Sequence, residues 1–77
     1  MKIGEIIISN KEILGGTPVF AGTRVPIKNL FDYLEAGDSL EEFLSDFNYI
    51  PREYAVAVLE FSEKLLTEQK LYENFVG

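Results

Sequence analysis

Few side chains in this sequence could do chemistry. The chain contains no histidine and no cysteine, which removes the commonest general base, the commonest metal ligand and the thiolate nucleophile. Asp38, Glu41 and Glu42 are neighbouring carboxylates, but helix capping and solubility explain them without a metal ion. The stretch Gly15–Thr17 is glycine-rich, yet it lacks the lysine of a phosphate-binding loop. We therefore expect a protein that is not an enzyme and that holds no metal or cofactor.

Arg24 is the side chain best placed for a binding role. It lies within residues 15–27, a stretch that contains three glycines and two prolines. Because proline restricts the residue before it to extended backbone, the stretch predicts short strands near 18–20 and 23–25. Gly22 suits a tight turn between them. The stretch is either a purely structural hairpin or a rigid loop that presents Arg24 to a partner.

The net charge of −6 is distributed unevenly along the chain. Acidic and basic residues balance within residues 1–37 and within residues 64–77, so residues 38–63 carry the whole excess. This middle segment is either a solvated acidic surface that keeps a small protein soluble, or a surface for a basic partner.

Length and composition indicate a single globular domain. The chain has 77 residues, of which 47% are hydrophobic, and this is enough for one modest core. No apolar run approaches the roughly 20 residues of a membrane-spanning helix, so we expect a cytoplasmic protein. We divide the domain into short β elements and a loop at 1–25, a helical core at 26–66 and a C-terminal extension at 67–77.

Apolar residues recur at i, i+3, i+4 and i+7 in two segments, and this spacing predicts amphipathic helices near 26–36 and 40–47. Ser39 followed by Glu42 matches a capping box at the start of the second helix. A proline opens a third helix, predicted near 51–65 or beyond. The three helices supply the predicted core, which consists of Ile27, Leu30, Phe31, Leu34, Leu40, Phe43, Leu44, Phe47, Tyr54, Val58 and Phe61.

The N-terminal run Glu5–Ser9 is rich in β-branched residues. It predicts a strand near 5–8 that pairs with the hairpin or with a second copy of the chain. Together with the helices, this predicts a mainly α fold, in which a three-helix bundle with a helix-turn-helix layout follows short β-strands.

The C-terminal stretch after Leu65 contains no helix breaker. If the third helix continued to Asn74, it would be too long for a core of this size, and its end would expose an apolar set. A partner, either another protein or a second copy of the chain, is one explanation for such a set, and a tail folded back onto the core is the other. The residues concerned are Leu66, Leu71, Tyr72, Phe75 and Val76.

The helix-turn-helix layout raises the question of DNA binding. Affinity for DNA comes largely from neutralised phosphates, and the third helix offers Arg52 near its start and then mainly carboxylates. The cations that could contact phosphates lie elsewhere, at Lys11, Arg24 and Lys28. We expect operator DNA to be bound only weakly by the chain alone, or through a complex.

Two sequence blocks resemble the signature of the domain-of-unknown-function 433 family. The first is GGTPVF at residues 15–20 with GTRVP at 22–26, and the second is LEAGDSLEEFL at 34–44. The resemblance covers about residues 5–62. It implies a homeodomain-like helical domain preceded by small β elements, and a VapB-like antitoxin that is often encoded beside a PIN-like ribonuclease toxin.

Two functions remain open at this point. The first is an antitoxin that blocks a PIN-like nuclease, whose metal-binding carboxylates would accept a cation from Arg24 or Lys28. The second is a stand-alone helix-turn-helix transcriptional regulator that binds DNA. A short nuclease gene beside this one would favour the antitoxin. The predicted partner-binding residues are Arg24, Lys28, Leu66, Leu71, Tyr72 and Phe75, and the predicted DNA contacts are Lys11, Arg24 and Lys28.

Overall fold

The structure, a computed structural model, describes residues 2–68. Within this part of the chain there are four helices and two short strands, and a 3-10 turn lies over Leu14–Gly16. The fold is mainly α with a small antiparallel β-ladder near the N-terminus, as the sequence predicts. In chain order the elements are α1 (Ile3–Ile6), β1 (Ile7–Ile8), β2 (Val19–Phe20), α2 (Ile27–Glu35), α3 (Leu40–Asp46) and α4 (Arg52–Thr67).

Strand β2 lies in the middle of the β-structure. The two residues of β1 pair with it in antiparallel register, Ile7 opposite Phe20, which confirms that the N-terminal strand pairs within the chain. On the other side of β2 the returning chain makes a single bridge, between Val19 and Pro26. The strand predicted near 23–25 is therefore wrong, because the N–H and the hydroxyl of Thr23 both donate to the carbonyl of Phe20 in a tight turn, and the chain is bridged to β2 only at Pro26.

The N-terminal segment also differs from its prediction. Residues 3–6 form the helical turn α1, and the strand predicted near 5–8 is reduced to Ile7–Ile8. The β-branched composition favours a strand, but a helical turn places Ile3 and Ile6 on one face. That face packs against α4, and Ile6 is fully buried. Tertiary packing overrides the local preference here.

A Schellman motif ends α2 and turns the chain towards α3. Gly37 adopts a φ of 89°, and its N–H donates to the carbonyl of Leu34 at 3.1 Å. The N–H of Asp38 donates to the carbonyl of Tyr33 at 2.9 Å. A residue at positive φ is what this motif requires, so glycine at this position ends the helix as expected.

The capping box predicted at the start of α3 is confirmed. The N–H of Glu42 donates to Oγ of Ser39 at 3.1 Å, and the N–H of Ser39 donates to Oε1 of Glu42 at 3.4 Å. Two N–H groups that the first turn of a helix leaves unpaired are satisfied in this way. With the Schellman motif just before it, the box sets α3 against α2.

Helix α4 is the longest element of the described chain. It begins after Pro51, as predicted, and ends at Thr67, because the backbone of Glu68 is extended. One uninterrupted helix to Asn74 is therefore excluded, and residues 69–77 lie outside the described part of the chain. No helix that the structure describes has the length and apolar composition needed to cross a membrane.

The hydrophobic core gathers side chains from all four helices and from β2. Ile27, Leu30, Phe43 and Val58 are buried, as predicted. Phe61 is 37% exposed and the prediction for it is wrong, because it lies beyond Val58, the last fully buried residue of α4. Six further predicted core residues are half-buried and pack against the core: Phe31, Leu34, Leu40, Leu44, Phe47 and Tyr54.

The core also contains residues that helical spacing does not reveal. Phe20 of β2 is fully buried and packs against Phe43, with ring centroids 5.9 Å apart. Phe43 also contacts Tyr33 and Phe47, at 5.3 and 5.0 Å between centroids. A two-residue strand has no periodicity to detect, so its place in the core follows only from the tertiary structure. The other buried residues are Ile6, Val19, Val25, Ile50 and Ala55.

Candidate functional site

Arg24 lies on a turn whose backbone is fixed on both sides. The hydroxyl of Thr23 donates to the carbonyl of Phe20 at 2.7 Å and accepts from the N–H of Val25 at 3.0 Å. The N–H of Phe20 donates to the carbonyl of Val25 at 3.0 Å, and Gly22 supplies a φ of 76°. The side chain of Arg24 is exposed and forms no ion pair with any residue of the described chain.

A groove of about 380 Å³ opens beside Arg24. It is lined by β1, the loop that follows, β2 and the turn, so Arg24 borders a groove to which three apolar residues also contribute. The loop is held in place because the hydroxyl of Ser9 donates to the carbonyl of Gly16 and that of Thr17 to the carbonyl of Leu14. This Arg24 groove can bind an apolar side chain and a carboxylate together. Its lining residues are Ile8, Ile13, Val19, Gly22, Thr23 and Arg24.

The two lysines predicted together with Arg24 differ in their interactions with neighbouring residues. Lys28, in the first turn of α2, is paired with Asp32, with 2.7 Å between Nζ and Oδ1. This hydrogen bond raises the pKa of Lys28, and an external anion would have to displace the Asp32 carboxylate. Lys11 is exposed on the loop that also contributes Ile13 to the Arg24 groove. Arg24 and Lys11 are therefore the more available of the three cations.

The carboxylates of residues 38–46 form an acidic surface beside Tyr33. The hydroxyl of Tyr33 donates to Oδ2 of Asp46 at 2.6 Å, and this bond raises the pKa of Tyr33. Partial desolvation, and then the negative charge of Glu42, raise the pKa of Asp38. In the described chain, no group of three or more acidic side chains is arranged to hold a metal ion.

The two helices that would form a helix-turn-helix, α3 and α4, are joined by a short link. Arg52, the cation at the start of α4, is engaged in an ion pair with Glu41 of α3. Beyond it, α4 exposes the carboxylates Glu53, Glu60 and Glu63. The helix that would enter a DNA groove therefore presents mainly negative charge.

The last turn of α4 exposes two large apolar side chains. Leu65 is 43% exposed and Leu66 is 72% exposed, and we call this pair the apolar end of α4. Leu66 is one of the residues that the sequence predicts to bind a partner. Leu71, Tyr72 and Phe75, predicted with it, lie outside the described residues.

A second groove, of about 250 Å³, lies between α1 and α4. It shares no lining residue with the Arg24 groove, and Glu60 and Lys64 bring opposite charges to it. The sequence prediction missed this α1–α4 groove because it assigned the N-terminal residues to a strand. The three-residue spacing of Ile3 and Ile6 was the signal that could have revealed it. The lining residues are Ile3, Ile6, Ala57, Glu60, Phe61 and Lys64.

The sequence match to a known family spans most of these features. Residues 7–62 match the family model described as "Protein of unknown function (DUF433)". The chain belongs to the DUF433 family. The resemblance carried by the two sequence blocks is thereby confirmed, and the DUF433 match includes the Arg24 turn, α2, α3 and most of α4. The family description names no activity.

One curated relative of this DUF433 chain is "Uncharacterized protein y4eO" of Sinorhizobium fredii. It is 50% identical over 40 residues, which make up 52% of the chain and 18% of that protein. The chain thus matches a small part of a much longer relative, and the name of that relative assigns no function. No solved structure matches the chain.

Proposed function

We propose that this DUF433 protein is a cytoplasmic antitoxin that binds and inhibits a PIN-like ribonuclease. The nuclease is suggested by the resemblance of the two sequence blocks to the DUF433 family, which implies a VapB-like antitoxin often encoded beside a PIN-like ribonuclease toxin. A binding role in place of catalysis agrees with a sequence that has no histidine and no cysteine. The observation that carries the proposal is the apolar end of α4, where Leu66 is largely exposed.

The apolar end of α4 is suited to a protein partner. Leaving a leucine side chain in water forgoes about 1.5–3 kcal/mol relative to burial, and Leu65 and Leu66 are consecutive exposed residues of α4. A partner with an apolar groove would recover much of this free energy, as in other complexes where a helix lies in a groove. Leu71, Tyr72 and Phe75 remain proposed contacts with the same partner.

Arg24 is proposed to act on the nuclease active site. PIN-like nucleases hold their metal ion with clustered carboxylates, and a guanidinium can pair with carboxylates through two parallel hydrogen bonds. Arg24 would occupy the place of the cation while the Arg24 groove accepts an adjacent apolar side chain. Lys28 would add a second cation at the nuclease active site if its ion pair with Asp32 were broken. The acidic surface at 38–46 would face the basic, RNA-binding surface around the nuclease site.

The helix contact is tested with the proposed partner, a PIN-like nuclease. Both proteins are expressed together, and their co-purification is measured for the parent and for Leu66→Asp. We expect Leu66→Asp to abolish co-purification, because it places a charge in an apolar contact. The matched control is Thr67→Asp, which adds the same charge at the next exposed position. Equal co-purification of the parent and Leu66→Asp would contradict the proposed contact.

The role of Arg24 is tested by RNA cleavage. Arg24→Ala should still bind the nuclease through α4, but inhibition should weaken by about tenfold or more, as expected for the loss of a charge-assisted hydrogen bond. Lys11→Ala, a cation removed from the neighbouring loop, serves as the control and should inhibit like the parent. If Arg24→Ala inhibits as well as the parent, Arg24 does not enter the active site.

A stand-alone transcriptional regulator is the second candidate. The succession of α3, a short link and α4 supports a helix-turn-helix layout. The negative charge of α4 weighs against DNA binding by the chain alone. A complex with a basic nuclease would supply the missing positive charge, so operator binding by the complex agrees with the antitoxin proposal.

A further inference from the structure

We propose that the α1–α4 groove is the interface of a symmetric homodimer in which α4 of one copy lies antiparallel to α4 of the other. The dimer follows from the shape and charges of this groove. It does not depend on the nuclease, which is proposed to use the apolar end of α4 and the Arg24 groove.

The groove and the side chain beside it complement each other. Phe61 is 37% exposed and borders the cavity of about 250 Å³ that Ile3, Ile6 and Ala57 help to line. In a two-fold dimer the same patch serves both copies, so each surface must fit itself. An exposed aromatic ring next to an apolar groove meets this condition, because the Phe61 ring of each copy can pack against the ring and the groove edge of the other copy.

The charges at the groove are also self-complementary. Glu60 and Lys64 are one helical turn apart, and neither forms an ion pair within the described chain. If the two-fold axis passes α4 at the level of Ser62, midway between them, Glu60 of each copy lies opposite Lys64 of the other. A parallel arrangement would place like charges opposite each other. The charges therefore select the antiparallel dimer.

The same axis brings the aromatic rings together. Phe61 lies one residue from Ser62, so the two copies of Phe61 differ in level by about 3 Å along the helices at a rise of 1.5 Å per residue. The two rings can then contact each other at the centre, flanked by two ion pairs. An apolar centre with a charged rim is the usual anatomy of a protein interface.

Sedimentation equilibrium of the full chain tests the dimer, with a charge exchange as the central experiment. We expect the parent to dimerise, and Glu60→Lys or Lys64→Glu alone to weaken the dimer by about tenfold, because each turns two attractive pairs into two repulsive ones. The double variant, Glu60→Lys with Lys64→Glu, should return to within about threefold of the parent, since the pairs are restored with their signs exchanged. Phe61→Ala should leave a monomer.

Matched controls distinguish the effect of a charge change in the groove from the effect of a charge change elsewhere on the surface. Glu63→Lys makes the same change at an exposed carboxylate that does not line the groove, and Lys11→Glu makes the opposite change on a distant loop. Both should dimerise like the parent. A parent that stays monomeric at every concentration would overturn the proposal, since residues 69–77 or a different protein would then cover the groove. A double variant as weak as the single ones would also overturn it.

Discussion

Arg24 is an exposed cation whose position is set by bonds that do not involve its own side chain. The hydroxyl of Thr23 and the backbone of Phe20 and Val25 fix the turn from both sides. A partner that binds Arg24 therefore needs to order only the side chain and not the loop, which lowers the entropy cost of binding. This advantage is local, because it depends on three hydrogen bonds within six residues.

Phe43 is the residue on which the core depends most. It is fully buried and contacts Phe20, Tyr33 and Phe47. Phe43→Ala should lower the free energy of unfolding by about 3–5 kcal/mol, a large part of the stability of a small domain. Phe31→Ala changes a half-buried residue and should lower the free energy of unfolding by clearly less. Urea unfolding measures both variants. Equal losses would show that the burial of these two residues does not determine how much each stabilises the fold.

The bond between Tyr33 and Asp46 predicts a dependence of stability on pH. The neutral hydroxyl donates to the carboxylate, which raises the folded-state pKa of Tyr33 above its ordinary value of 10.0. The stabilisation is therefore complete below pH 10.0 and is lost as the pH rises through the folded-state pKa. Tyr33→Phe should lower the melting temperature at pH 7. The difference in melting temperature between this variant and the parent should become smaller at alkaline pH.

Tyr49→Phe is the matched control for this experiment, because Tyr49 is largely exposed. It should melt like the parent at every pH. A deficit of Tyr33→Phe that stays constant into strong alkali would mean that lost packing, and not the bond to Asp46, is responsible.

At the scale of the elements, the corner between α2 and α3 is determined by its caps. The Schellman motif at Gly37 and the capping box of Ser39 and Glu42 follow one another within six residues. Each satisfies backbone groups that a helix end leaves unpaired. The chain can therefore turn sharply here while several backbone groups at the two helix ends keep hydrogen-bond partners.

The capping box can be tested separately from helix propensity. Ser39→Ala should lower the free energy of unfolding by about 1 kcal/mol, the usual loss for an N-cap serine. Ser45→Ala makes the same change at an exposed position inside α3 and should be neutral or slightly stabilising, because alanine favours the helix interior. Similar effects of the two substitutions would show that the cap contributes nothing specific.

At the scale of the whole molecule, the placement of charge limits the possible partners. The excess of −6 lies in residues 38–63, which the structure places on α3 and most of α4. Arg52, the cation nearest to the helix-turn-helix link, is paired with Glu41. Among the described residues, Arg24 and Lys11 are exposed cations of the β-structure and its loop. In this part of the chain the acidic surface is therefore separate from these two cations.

This distribution predicts that the isolated chain binds duplex DNA weakly or not at all at physiological salt, because few phosphates would be neutralised. Fluorescence anisotropy with operator-length duplexes measures this. A complex with the proposed nuclease partner provides the comparison and should bind DNA more tightly than the chain alone. Sequence-specific binding by the chain alone that persists at about 200 mM salt would refute this interpretation of the charges.

The sequence by itself determined the features that depend on local chemistry. The periodicity of α2 and α3, the capping box at Ser39 and the start of α4 after Pro51 all follow from residue types at fixed spacing, and the structure confirms them. The family followed from the same source, because the two short blocks that resemble its signature, at residues 15–26 and 34–44, lie within the matched residues 7–62. The candidate cations could also be named in advance, since there are so few of them.

Only the tertiary structure decided what depends on contacts between distant segments. Residues 3–6 form a helix against their β propensity because Ile3 and Ile6 pack on α4. Phe20 enters the core, and Phe61 stays partly in water, because burial depends on where neighbouring elements end. The α1–α4 groove combines residues more than fifty positions apart in the chain, and no local spacing encodes such a pairing. Packing free energy, which is summed over the whole molecule, selects among the conformations that local preferences allow.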